Sequence, residues 1–133
     1  MNPIIMEIEY KENNKITADE IIKVFKSVGW EKQHDNIIAA FKNSYYVTAY
    51  HSGKIIGFAR AISDYFYYTN IHDVVVIPSY QRKGIARKMI DMILKKFKGN
   101  YFFLTYTEGN KLFYQRCGFI DNHSSMWIPK PKK

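Results

Sequence analysis

The 133-residue chain reads as a mixed α/β fold built on a mostly antiparallel sheet, and three observations carry that reading. Apolar and polar residues alternate with the two-residue period of strands in several short runs. Between them lie stretches with apolar residues at helical spacing. One run, Val74-Val75-Val76-Ile77, is continuous and β-branched, as in a central strand. Residues 1–133 are expected to form a single domain.

The elements follow in order. Residues 4–10, IIMEIEY, alternate and read as a first strand, ended by the polar turn KENNK. Thr17 with Glu20 three residues on is a capping box, opening an amphipathic helix with Ile21, Ile22, Val24, Phe25 and Val28 inward. Gly29 is placed to stop it. HDNIIAAFKNS reads as a second helix, with Asp35 as its cap. The runs YYVTAYH and KIIGFARAISDYF are strands joined at Ser52-Gly53, a hairpin signal. The run IHDVVVIP is a strand buried on both faces and ended by Pro78. GIARKMIDMILKKFKG is a helix that stops at Gly99, and NYFFLTYT is another buried strand. NKLFYQRCG is a short helix ending at Gly118, and FIDNHSSMWIPK closes as a hairpin or strand.

Composition narrows the function. Hydrophobic residues are 47% of the chain, enough for a packed core. Cys117 is the sole cysteine and cannot form an intramolecular disulfide, so a cytoplasmic location is expected. The N-terminus lacks the basic and apolar regions of a signal peptide, and no stretch has the ~20 apolar residues of a membrane span. Neither a metal spacing nor a helix-turn-helix pattern is present, so no metal and no nucleic acid are expected.

The net charge of +8 points to an anionic partner, and its distribution says where. Residues 81–98 carry seven basic side chains and one acidic, whereas residues 1–80 carry eight and nine. The basic segment begins in Val74-Val75-Val76-Ile77-Pro78-Ser79-Tyr80-Gln81-Arg82-Lys83-Gly84-Ile85-Ala86-Arg87. There a buried strand runs through a turn into a helix. A helix start offers unpaired N–H groups and a positive dipole end. Gly84 and Ala86 let an anion approach the backbone, and Arg82, Lys83 and Arg87 add charge. This is a cradle suited to a diphosphate. The plain alternative is an ordinary strand–loop–helix junction with a solvated basic face.

Gln81-Arg82-Lys83-Gly84-Ile85-Ala86 matches the Q/R-x-x-G-x-G/A signature of the GNAT superfamily of acyl-CoA N-acyltransferases. Phe113-Tyr114-Gln115-Arg116-Cys117-Gly118-Phe119 is similar to the family's late FYxxxGF segment. The order of elements resembles the GNAT fold over roughly residues 4–128, with a splayed sheet flanked by helices. The resemblance implies acetyl-CoA as co-substrate. Backbone groups of Val74, Val75 and Val76 would pair with pantetheine, and residues Gln81 to Arg87, Ile85 included, would hold the diphosphate. Tyr114 matches the tyrosine that protonates the leaving thiolate, a role suited to a phenol of reference pKa ~10. The family's pantetheine-binding Asn stands seven or eight residues before that Tyr; here the candidate, Asn110, stands four before it.

Direct transfer needs a neutral amine and hence a base. Arylalkylamine acetyltransferases carry a histidine at the position matching His72, and their second one falls at Asn70. Period two places His72 on the face of Val74 and Val76. Asp64 and Asp73 are alternatives, and either could be a turn or edge carboxylate instead. Cys117 lacks the neighbours of an acyl-carrying nucleophile. The acceptor would be a small-molecule amine or a protein amino group. Trp30, Asp64, Tyr65, Phe66, Tyr67, Tyr68, Met126 and Trp127 are the candidates for its pocket, and a homodimer interface is the other reading of these aromatics. The expected activity is N-acetyl transfer in a ternary complex. The rivals are a CoA-binding sensor without catalysis and a basic nucleic-acid-binding module.

Overall fold

The computed structural model describes residues 7–31 and 35–129. The basic tail, Lys130, Lys132 and Lys133, and the start of the expected first strand lie outside the described residues. Five strands form one sheet in the order β1-β2-β3-β4-β5. β1 (Glu9–Glu12), β2 (Tyr45–His51), β3 (Lys54–Ser63) and β4 (Tyr68–Val76) run antiparallel to their neighbours, and β5 (Tyr101–Leu104) joins β4 in parallel. The expected mixed fold with a mostly antiparallel sheet is the one observed.

Helix α1 (Ala18–Ser27) begins at the capping box: Glu20 N–H donates to Thr17 Oγ1 at 3.1 Å, and Thr17 N–H donates to Glu20 Oε1 at 3.1 Å. Together with α2 (Ile37–Lys42) it covers one face of the sheet. There Ile21, Val24, Phe25 and Phe41 pack on Tyr46, Phe58 and Val75. On the other face α3 (Ile85–Lys96) buries Ile85, Met89, Ile90 and Ile93 against Val47, Ala59 and Ile71. A short helix, α4 (Lys111–Arg116), follows β5. The Ser52-Gly53 turn takes φ of +51° and +78°, the left-handed pair that a tight hairpin needs.

Several expectations need correction. The first strand runs on through Lys11 and Glu12, because an edge strand pairs its backbone with β2 and leaves polar side chains in water. Asp35 does not cap the second helix; Asn36 occupies that position at φ +67° and makes no side-chain cap bond. The long run from Lys54 ends at Ser63, because Asp64 Oδ1 accepts the N–H groups of Phe66, Tyr67 and Tyr68 and turns the chain. This lets β4 begin at Tyr68, three residues early. β5 is not a buried strand but an edge strand, with Tyr101 and Phe103 exposed. Residues 119–129 form no strand: Met126, Trp127 and Ile128 are each more than 80% exposed, with no partner strand among the described residues to hold them.

One departure sets up the site. In β3 and β4, Arg60 faces His72 and Phe58 faces Val75, so two residues, Asp73 and Val74, stand opposite Ala59. This β-bulge puts Asp73 at φ +50° and shifts the side-chain alternation by one. His72 therefore shares its face with Val75, not with Val74 and Val76 as period two had it. At the same place Gly57 lies so close that a Cβ would come within 2.7 Å of Val75 O. No larger residue fits there without moving the backbone.

Candidate active site

β4 and β5 pair only from Tyr68–Ile71 to Tyr101–Leu104. β5 then stops, while β4 continues through the bulge to Val76. The sheet is thus open along the β5 side of β4 just where the residues Val74 to Val76 fall. Ile77 turns the chain, its N–H donating to Ile56 O at 2.8 Å, and Pro78–Tyr80 make one turn of 3-10 helix. The Gln81 side chain folds back, donating from Nε2 to Val76 O at 2.9 Å, and so ties the strand end to the loop. Tyr80 is anchored from below, its hydroxyl 2.6 Å from His51 Nδ1.

The loop then reaches α3. Arg82 has φ +61° and Gly84 +82°, the latter at the N-cap with no side chain bonding the first turn. The first turn's N–H groups therefore keep their capacity for an anion. A Cβ on Gly84 would meet nothing within 4 Å, so the approach is open. Arg82 and Lys83 are exposed beside it, while Ile85 is buried and Ala86 half-buried. Arg87 is tied down by two hydrogen bonds: Nε donates to Asp91 Oδ1 at 3.2 Å and Nη1 to Arg116 O at 2.9 Å. It links α3 to the end of α4.

A cleft of about 1210 Å³ lies beside the β4–β5 opening. His72 and Tyr114, the two catalytic candidates, both line it. So does Asn70, two residues before His72. Tyr114 packs edge-on against Phe113 and Phe119, with ring centroids at 5.1 and 6.2 Å. Burial pushes its phenol up to about 12, with the neighbouring Cys117 adding to the shift, so it holds its proton throughout the neutral range. Burial likewise pushes the Cys117 thiol up, which keeps it in the unreactive form near neutrality.

Other candidates stand elsewhere. Asn110 donates from Nδ2 to Thr107 Oγ1 at 3.0 Å and does not line the cleft. Trp30 stacks on Phe25, with centroids at 5.9 Å. Tyr65 packs against Phe97, and Trp127 is exposed, 82%. Asp64 serves its turn, and the three N–H groups it accepts hold its carboxyl below the usual range. Asp73 faces Arg60, whose Nε and Nη2 lie 2.9 and 2.8 Å from Asp73 Oδ2. None of these six lines the cleft.

Of the aromatic candidates Tyr68 does line it, and sequence reasoning missed the neighbours that join it there. Tyr101 and Phe103 join Tyr68 in an exposed aromatic group, Tyr68 stacked on Tyr101 at 5.7 Å. Tyr101-Phe102-Phe103-Leu104 carries no alternation of residue type to reveal this; only the burial alternates, because the strand lies at the sheet edge. Also in the cleft, Asp121 accepts from Tyr106 Oη at 2.8 Å and pairs with Lys111 Nζ at 2.9 Å. Among the described residues no cluster of His, Cys, Asp and Glu could hold a metal, and no helix is long and apolar enough to cross a membrane.

Comparison with known proteins agrees with this architecture. Residues 15–119 match the acetyltransferase (GNAT) family. The chain is 28% identical over 117 residues to GCN5-related N-acetyltransferase 3, chloroplastic, of Arabidopsis thaliana, covering 85% of this chain and 48% of that protein. It thus spans about half the length of that relative. The GNAT family protein SP0256 from Streptococcus pneumoniae superposes with a TM-score of 0.81 at 26% identity, over 94% of this chain and all of that one. Aminoglycoside N-acetyltransferase AAC(6')-Iy, solved in complex with CoA, shares the fold with a TM-score of 0.76 at 18% identity, over 98% and 99% of the two chains. With the open β4 edge, the uncapped α3 start and the late FYxxxGF segment in the family's order, the chain belongs to the GNAT acetyltransferase family.

Proposed function

We propose that this protein is an acetyl-CoA-dependent N-acetyltransferase that acetylates a primary amine by direct transfer in a ternary complex. One observation carries the reading: an anion cradle at the α3 start stands at one end of an open strand, and His72 and Tyr114 line the cleft beside that strand. The chemistry of the cradle fits a CoA diphosphate. It has uncapped N–H groups, an unobstructed Gly84, and Arg82 and Lys83 beside it. The backbone of Val74 to Val76 would hold the pantetheine arm by strand-like pairing.

The donor supplies an activated thioester carbonyl. His72 takes a proton from the incoming ammonium, directly or through one water, so that a neutral nitrogen attacks. Tyr114 offers its hydroxyl to the sulfur as the C–S bond breaks. A phenol held near 12 is protonated when needed, and the tyrosinate left behind is reprotonated, directly or through water, by the proton the attacking nitrogen loses as the amide forms. Cys117 takes no part, which fits transfer without an acyl-enzyme.

The cleft also favours one acceptor class. Its floor is aromatic, Tyr68, Tyr101 and Phe103, and the carboxylate lining it, Asp121, is already paired with Lys111. A polycation would find no unpaired negative charge among these described residues. A monoamine bearing an aromatic ring can stack on the floor and present its nitrogen towards His72. The test is release of free thiol from acetyl-CoA across a panel of arylalkylamines, polyamines and peptides. Turnover with an arylalkylamine is expected. Binding of acetyl-CoA with no turnover on any amine would favour a CoA sensor instead.

A further inference from the structure

Helix α4 carries Tyr114, yet it has little to hold itself together. It has six residues, half the ~12 a helix needs to persist alone, and none of them is fully buried. No side chain caps its N-terminus, since Asn110 bonds to Thr107. Phe113 and Tyr114 pack against the core from its middle, and its two ends are placed by tethers. At the far end Arg87 Nη1 holds Arg116 O at 2.9 Å, and the buried Cys117 packs beneath. At the near end the tether is Asp121. One carboxylate oxygen accepts from Tyr106 Oη at 2.8 Å, on the segment leaving β5; the other pairs at 2.9 Å with Lys111 Nζ, on the first residue of α4. His123 Nε2 stands 3.4 Å from that second oxygen. Asp121 thus bridges the strand end, the helix start and the segment after the helix. Lys111 precedes Tyr114 by three residues, one helical turn along the same side.

We propose that Asp121 is a positioning residue that holds α4 so that Tyr114 faces the cleft. The inference rests on Tyr114 acting as the acid and goes beyond it by assigning what aims it. Removing the carboxylate frees the first turn of α4, and a hydroxyl displaced by about 1 Å costs ten- to a hundredfold in rate. The donor is held elsewhere, at the α3 start and β4, so its KM should hardly move.

The experiment is a double-mutant cycle with Asp121→Ala and Tyr114→Phe, read by kcat and KM for acetyl-CoA, with amide hydrogen exchange of residues 111–117. Asp121→Ala is expected to lower kcat at least tenfold, change KM less than threefold and speed exchange in α4 but not in β3. In the Tyr114→Phe background it should lower kcat no further. Equal losses in both backgrounds, or unchanged exchange in α4, would overturn the proposal. Should Asp121→Ala fail to fold, Asp121→Asn keeps an acceptor for Tyr106 while losing the charge facing Lys111, and the same cycle applies with smaller losses. If Tyr114→Phe itself turns over like wild type, the acid role fails, and exchange in α4 alone then decides whether Asp121 holds the helix.

Discussion

Replacing Asp73 by Ala tests the bulge that opens β4, and the structure fixes what it should cost. Arg60 directs Nε and Nη2 at one carboxylate oxygen, at 2.9 and 2.8 Å, and Nη1 at Ser44 Oγ, at 2.9 Å. The two side chains are only 16% and 12% exposed, and the guanidinium lies 5.6 Å from the Phe41 ring centroid. Removing one partner of a buried pair costs about 3 to 5 kcal/mol, because a desolvated charge is left behind. Some water reaches this pair, and Arg60 keeps Ser44, so the lower end applies. Ala also tolerates φ +50° less well than Asp, which adds up to ~1 kcal/mol. The sum is about 3 to 4 kcal/mol, a large share of the 5 to 15 kcal/mol that holds a typical domain. For a chain of this size that lowers Tm by roughly 10 to 15 °C. Urea unfolding of Asp73→Ala, Arg60→Met and the double variant gives the full cycle. The double variant should be less destabilised than the two singles added together, since it leaves no unpaired charge. A loss below 1 kcal/mol in Asp73→Ala, or strict additivity, would mean that Arg60 and Asp73 do not hold the bulge as a pair.

Other predictions follow from the same geometry. Tyr114→Phe should lower kcat about a hundredfold with little change in KM for acetyl-CoA, measured by thiol release; an unchanged kcat removes the acid role. Gly57→Ala must push Val75 O away from 2.7 Å, so it should cost about 1 to 3 kcal/mol in urea unfolding and raise KM for acetyl-CoA by distorting the open strand. On the alkaline side, burial raises Tyr45, Tyr46, Tyr50 and Tyr114 above the usual phenol value. A raised folded pKa gives stability that is complete below the unfolded value near 10 and lost as pH rises through the folded one. Unfolding free energy should therefore stay level to about pH 9 and fall above pH 10, at ~1.4 kcal/mol per unit for each proton involved. A fall already under way at pH 8 would contradict this.

Much of the fold was legible because local signals and tertiary packing agree there. The Thr17 and Glu20 box, the Ser52-Gly53 turn and the apolar stripe of α3 each depend on neighbours within a few residues. The cradle was legible for the same reason, since a strand, a glycine and a helix start are contiguous. What escaped depends on partners far along the chain. The bulge at Asp73 is set by Arg60 and by the close approach of Gly57, so period two placed His72 on the wrong face. The tether at Asp121 joins residues 106, 111, 121 and 123, and no spacing rule reveals it. Asp64 looked like an amine anchor, but a carboxylate just before three free N–H groups is also what a turn requires. The aromatic candidates at Trp30 and Tyr65 went instead to packing on Phe25 and Phe97.

The most direct test of the whole account is binding of acetyl-CoA, followed as a shift in Tm with and without the ligand. A native-state ligand present at a hundred times its Kd adds about 2.7 kcal/mol, which here raises Tm by roughly 8 to 12 °C. A rise of that order is expected, diminished when Gly84 is replaced by a residue with a side chain. No shift at millimolar acetyl-CoA would contradict it.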